Sequence, residues 1–148
     1  MADDMYIVNK VDSVPVLHRG RYIDIINGYK RLRKYNYYTQ RMQRTYNKLI
    51  KLGIQNPLCY ELHVPFMIDK SKWNDVSIHI TPDVNKLSMY ANLIGLEGKK
   101  VPDVKVRSRD WIPPGDFIST HDSTFGVNKV GHMIRTKFNE KGEYDFKG

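Results

Sequence analysis

Apolar and polar positions along the chain switch repeatedly between extended and helical spacing. Met5-Tyr6-Ile7-Val8 is a short strand candidate directly after an acidic pair. Val11 to Leu17 reads as extended, with Pro15 biasing Val14 away from helix. His18-Arg19-Gly20-Arg21 then makes a basic turn. Tyr22, Ile25, Ile26, Tyr29 and Leu32 recur at helical intervals, weakened at Gly28. A second helix is expected from Tyr38 to Leu52, with Tyr38, Met42, Tyr46 and Leu49 on its apolar face. Arg41, Arg44, Lys48 and Lys51 lie broadly opposite, and Gly53 stops it.

Cys59 to Met67 reads as a strand. Alternation puts Glu61 and His63 on one face, with Tyr60, Leu62 and Val64 behind, and Pro65 suits a strand end or edge. Asp69 is the expected N-cap of a short helix. Val76 to Thr81 alternates like a strand or continues that helix, and Leu87, Tyr90, Ala91 and Ile94 mark another helix ending at Gly95 or Gly98. Val101 to Val106 is a strand candidate with Asp103 and Lys105 on one face, and Trp111 to Asp116 is a loop. Phe117 to Thr120 forms a last short strand, and Phe125 to Phe138 a terminal helix with Val127, Val130, Ile134 and Phe138 buried. The mixture predicts one α/β domain over residues 1–138, a small mixed sheet with flanking helices, followed by a polar tail over 139–148.

Length and composition add limits. A chain of 148 residues suits one core, and no apolar run approaches the roughly 20 residues that span a bilayer, so no membrane is expected. The start lacks a signal peptide's basic and apolar regions, and the single cysteine, Cys59, fits a reducing compartment, hence the cytosol. The net charge of +8 favours polyanionic partners: nucleic acid, nucleotide phosphates or an acidic surface. Between Asp24 and Glu61 there is no acidic residue but eight lysines and arginines, with Tyr35, Tyr37 and Tyr38 interleaved. That pattern suits a nucleic-acid surface, or equally a solvated helix face with tyrosines in the core.

Candidate chemistry is sparse. Glu61 beside His63 makes a general base with its neighbour, or a half-exposed pair without chemistry, which the spacing alone favours. Cys59 and His63 lack a second pair at zinc spacing, and no serine sits in a nucleophile elbow. His79-Ile80-Thr81 and His121-Asp122-Ser123 resemble the paired His-x-Ser/Thr units of two-histidine phosphodiesterases, in which one imidazole takes a proton and the other gives one. Asp122 interrupts the usual apolar middle position. Asp3-Asp4 is a carboxylate pair able to hold a divalent cation, or simply solvated.

Several segments in order carry a resemblance. Asp3-Asp4-Met5-Tyr6, Val14-Pro15-Val16-Leu17-His18-Arg19-Gly20 and Tyr60-Glu61-Leu62-His63-Val64-Pro65 come first. Tyr90-Ala91-Asn92, Val101 to Val106, Gly115 to Thr120, Asp122 to Phe125 and Gly131 to Phe138 follow. Together they resemble the second half of phage-encoded glycosyltransferase-like proteins and, more distantly, Stealth-type sugar-phosphate transferases. The resemblance spans nearly the whole chain. It implies a GT-A-like core, here its acceptor-side half, and a nucleotide-sugar donor. It also implies a divalent metal, Mn or Mg, on Asp3 and Asp4. It implies His63, oriented by Glu61, at the acceptor; His18 and Arg19 on phosphate; and Asp103, Lys105, Ser119 and Asp122 along the acceptor side.

Departures from the pattern shape the expectation. Family members carry about a hundred residues before the acidic pair, forming the nucleotide-binding half. Here that half is expected to be absent, and Ala2 and Leu87 replace an expected Asn and Arg, with Lys86 adjacent. The chain is then a fragment, one of two polypeptides, or a domain that only binds. An uncovered sheet edge predicts a partner chain or self-association. The leading expectation is a glycosyltransferase-like protein acting on DNA or a glycan. The others are a basic nucleic-acid-binding or phage-assembly module and a phosphodiesterase using His79 and His121.

Overall fold

A computed structural model describes residues 4–34, 36–107, 111–126 and 128–138. Its elements in order are β1 (Met5–Ile7), β2 (Leu17–His18), α1 (Tyr22–Arg31), α2 (Tyr37–Lys51), α3 (Lys70–Ser77) and α4 (Lys86–Leu93). They continue with β3 (Lys99–Lys100), β4 (Phe117–Ser119), α5 (Asp122–Phe125) and α6 (Lys129–Lys137). The class is mixed α/β, with six helices among the described residues. Among the described residues, two strand pairs stand in place of one mixed sheet: β1 antiparallel to β4, and β2 parallel to β3. No described helix is long and apolar enough to cross a membrane.

The chain divides into two compact units. The first draws on residues 1–13, 63–65 and 104–148, the second on 14–62 and 66–103. In the first unit β1 and β4 pair Met5 with Ser119 and Ile7 with Phe117. Val8, Val106, Ile118, Val130 and Ile134 form its core, with Tyr6, Phe125 and Met133 packed against them. Val101 to Val106, expected as a strand, keeps the alternation in its buried Val104 and Val106; Val101 N donates to His18 O at 2.9 Å and Lys105 bridges to Ser119, but no strand forms. The expected terminal helix is two helices. Gly126 ends α5 and Asn128 begins α6.

In the second unit, α1 buries Tyr22 and Ile26, and α2 buries Thr39, Met42, Thr45 and Leu49. Leu32, expected on the apolar face, is the C-cap of α1 and is 66% exposed. A capping box starts α2: Asn36 Oδ1 accepts from Thr39 N at 3.1 Å, and Thr39 Oγ1 accepts from Asn36 N at 2.9 Å. Asn36→Ala is expected to lower stability by about 1 kcal/mol, read as a shifted denaturant midpoint with unchanged slope. Asp69 caps α3 through Ser71 N at 2.9 Å, and that helix runs on to Ser77, so the strand alternative at Val76 to Thr81 is not formed.

The Cys59–Met67 stretch is not a strand of either pair, and the reason is local. On one side Cys59 exchanges backbone bonds with Gly20 O and Arg19 N, at 2.9 and 2.8 Å. On the other side helix α4 presents side chains where a neighbouring strand would stand. Asn92 Oδ1 accepts from Leu58 N and Asn92 Nδ2 donates to Leu58 O, both at 2.8 Å, while Ser88 Oγ accepts from Tyr60 N at 3.0 Å. With the backbone of Leu58 to Tyr60 already satisfied, that part of the segment needs no ladder. The chain bends at His63 and Val64. Tyr60, Leu62 and Val64 are nevertheless buried and Glu61 and His63 partly exposed, so the alternation survives without the sheet.

Candidate functional site

Two polar clusters gather residues that are far apart in sequence, one in each unit. In the first unit the β1–β4 register brings Ser119 beside the start of β1, and Thr120 N donates to Asp4 O at 3.0 Å. Lys105 Nζ donates to Asp4 Oδ2, and Ser119 Oγ donates to the same oxygen at 3.3 Å. The Lys105 ammonium holds the Asp4 carboxyl below its ordinary value, against an opposing desolvation. Asp4 is the described member of the acidic pair expected to hold a divalent cation. An ammonium already neutralises the only described carboxylate of the acidic pair, and no three metal-ligating side chains come together among the described residues. Asp3 lies outside the described residues. What the cluster offers is a carboxylate–ammonium pair beside a buried hydroxyl, suited to hydroxyl groups of a ligand.

In the second unit the centre is Glu61. Its Oε1 accepts from Ser88 N at 3.2 Å and Ser88 Oγ at 3.0 Å. Burial pushes its pKa up; the Ser88 bonds and the nearby Arg41 and Arg19 guanidiniums only partly offset this. Arg41 is fixed by donating twice to Val84 O, at 3.0 and 2.9 Å. Arg19 donates to Tyr38 Oη at 3.4 Å and bonds Tyr29 as well. Beneath them Tyr22 Oη accepts from Asn85 Nδ2 at 2.6 Å. Cys59 is fully buried, and burial raises its thiol to about 11, despite opposing contributions from the Glu61 backbone and Arg19; the charges of Glu61 and Asp103 add to the rise. It is therefore an inert wall rather than a nucleophile.

The expected residues therefore fall into two groups. Asp4, Lys105 and Ser119 meet at one carboxylate oxygen in the first unit, and the charges of Glu61, Arg19 and Asp103 act on Cys59 in the second. His18 is buried, its Nδ1 accepting from Gly20 N at 2.9 Å and its Nε2 facing Gly98 O at 3.2 Å. Those partners fix the neutral tautomer with the proton on Nε2 and engage both nitrogens in backbone bonds. His63 is partly exposed and falls in the first unit, Glu61 in the second. Asp122 opens α5, and its side chain lies outside what is described. Neither histidine of the phosphodiesterase pattern is on a strand. His79 follows the last turn of α3, and His121 is the N-cap of α5, its Nδ1 3.0 Å from Ser123 Oγ.

Sequence reasoning missed Arg41, Asn85, Ser88 and Asn92. A signal existed for three of them: Asn85, Ser88 and Asn92 recur at helical spacing, so they make a polar stripe on an otherwise apolar helix. Arg41 carries no such mark, since its neighbours in the basic run are exposed or half-exposed. Comparison of this chain with family models, with curated proteins and with solved structures finds no match.

Proposed function

We propose that this chain is the acceptor-side part of a glycosyltransferase-like enzyme, with a core related to the GT-A type, that moves a sugar from a nucleotide-sugar onto a hydroxyl-bearing acceptor. The observation that carries the reading is Glu61, a partly exposed carboxylate with raised proton affinity, set near two anchored guanidiniums. In the reaction Glu61 takes the acceptor's hydroxyl proton and that oxygen bonds to the anomeric carbon. The bond from that carbon to the diphosphate breaks, and its electron pair leaves with the nucleoside diphosphate. Arg19 and Arg41 supply positive charge for the departing phosphates. The Asp4–Lys105–Ser119 cluster binds hydroxyls in the first unit. DNA and a glycan both present such hydroxyls, and a partner chain supplying the donor pocket belongs to the same reading.

The direct test is release of nucleoside diphosphate from a panel of nucleotide-sugars, with Mn²⁺, with Mg²⁺ and with chelator, each with DNA or glycan acceptors. Turnover is expected with one donor. It should fall at least about tenfold in Lys105→Met and in His63→Ala with the circular dichroism spectrum unchanged. No release from any donor by the full chain, alone or with added host extract, would sink the reading. The basic run of α1 and α2 favours a second reading, a binding module without turnover.

A further inference from the structure

The α1–α2 hairpin carries a surface that sugar transfer leaves unused. A concavity of about 450 Å³ is lined by Arg44, Lys48 and Lys51 of α2 together with Asn47, Thr81 and Asp83. Asp83 meets Arg44 at 3.6 Å, which leaves three cations to one carboxylate. One helical stretch away, the Arg44 guanidinium lies over the Tyr37 ring, 5.6 Å from its centroid, and Tyr37 stays 66% exposed. At the turn between the helices, Arg33 has φ +52, a left-handed conformation that glycine would take without strain. An arginine held there adds a projecting cation at a position where the fold would favour another residue.

We propose that this surface binds single-stranded nucleic acid, with phosphates over Arg44, Lys48 and Lys51 and an unpaired base on the ring of Tyr37. Excess positive charge in a concavity with amide and hydroxyl neighbours matches a phosphodiester backbone. An exposed ring backed by a guanidinium offers a stacking platform that a paired base cannot use. The inference does not rest on sugar transfer, because binding is measured without any donor.

The experiment is fluorescence anisotropy of the full chain with a labelled twenty-nucleotide oligothymidine over a range of salt. Three phosphate contacts predict a slope of log K against log salt of about −2. Lys48→Gln with Lys51→Gln should make that slope shallower by about 1.4. Tyr37→Ala should weaken binding about 5- to 100-fold with the slope unchanged. Arg33→Gly should bind about twofold to fivefold more weakly while its thermal midpoint holds or rises, the opposite of what a purely structural arginine would give. Absence of salt-dependent binding overturns the proposal. So does equal affinity for a blunt duplex of the same length, and so does Tyr37-dependent binding to phosphatidylserine vesicles without binding to the oligonucleotide.

Discussion

Glu61→Gln is expected to cut sugar transfer by about 10²- to 10⁴-fold and to leave the chain folded. The amide keeps the shape of the carboxylate, and its oxygen still accepts from Ser88 N and Ser88 Oγ, so the α4 contact survives. What disappears is the base. In the wild type, transfer should rise with pH through the raised pKa of Glu61 and then level off; the variant should lack that rise. Stability moves the other way. Because folding raises this carboxyl's proton affinity, its contribution is fully present below the ordinary carboxyl pKa and is lost as pH rises through the folded value. Denaturation of wild type and variant across that window checks the sign: only the wild type should lose stability there. Transfer within threefold of wild type would make Glu61 a structural residue.

Gly131→Ala should destabilise the first unit by about 2–4 kcal/mol. A β-carbon at this position of α6 would stand 1.8 Å from Phe125 O, a backbone atom at the end of α5. A flexible side chain could swing aside, but a carbonyl that ends one helix cannot move without displacing both. Neighbouring Val130 and Ile134 would be pulled from Val8, Val106 and Ile118, the core of that unit. Calorimetry should show a thermal midpoint lowered by roughly 5–12 °C. Hydrogen exchange should place the loss at residues 117–119 and 129–137 before the α1–α2 hairpin. An unchanged midpoint would mean that α6 does not approach Phe125 so closely.

Where the sequence was legible, local signals agreed with the fold. The helical spacing of Tyr22 and Ile26 and of Met42 and Leu49, the cap at Asp69 and the strand at Phe117 all stand in the structure. Legibility ended where a partner from elsewhere in the chain decides the outcome. Cys59 to Met67 has a strand's alternation, yet Asn92 and Ser88 occupy its backbone from a helix about thirty residues on, which no periodicity announces. Val76 to Thr81 fits two periods; in the structure the helix capped by Asp69 takes Val76 and Ser77, and turn follows. The same holds for the site. Asp4, Lys105 and Ser119 meet only because β1 and β4 pair across more than a hundred residues. Arg41 reads as solvated until Val84 O is seen to hold it. Glu61 could be named, but its raised proton affinity comes from burial, which a sequence does not display.

The polar stripe of α4 has an evolutionary corollary. A segment locked into a sheet is tuned only by altering whole ladders, and one slip turns every side chain over. The segment from Leu58 to Glu61 is bonded to the Arg19–Gly20 backbone on one side and to two side chains of a helix on the other, so a single codon change at Asn92 or Ser88 alters half of its support. Drift at those two positions would be an inexpensive way for descendants to change what they recognise while keeping the surrounding architecture.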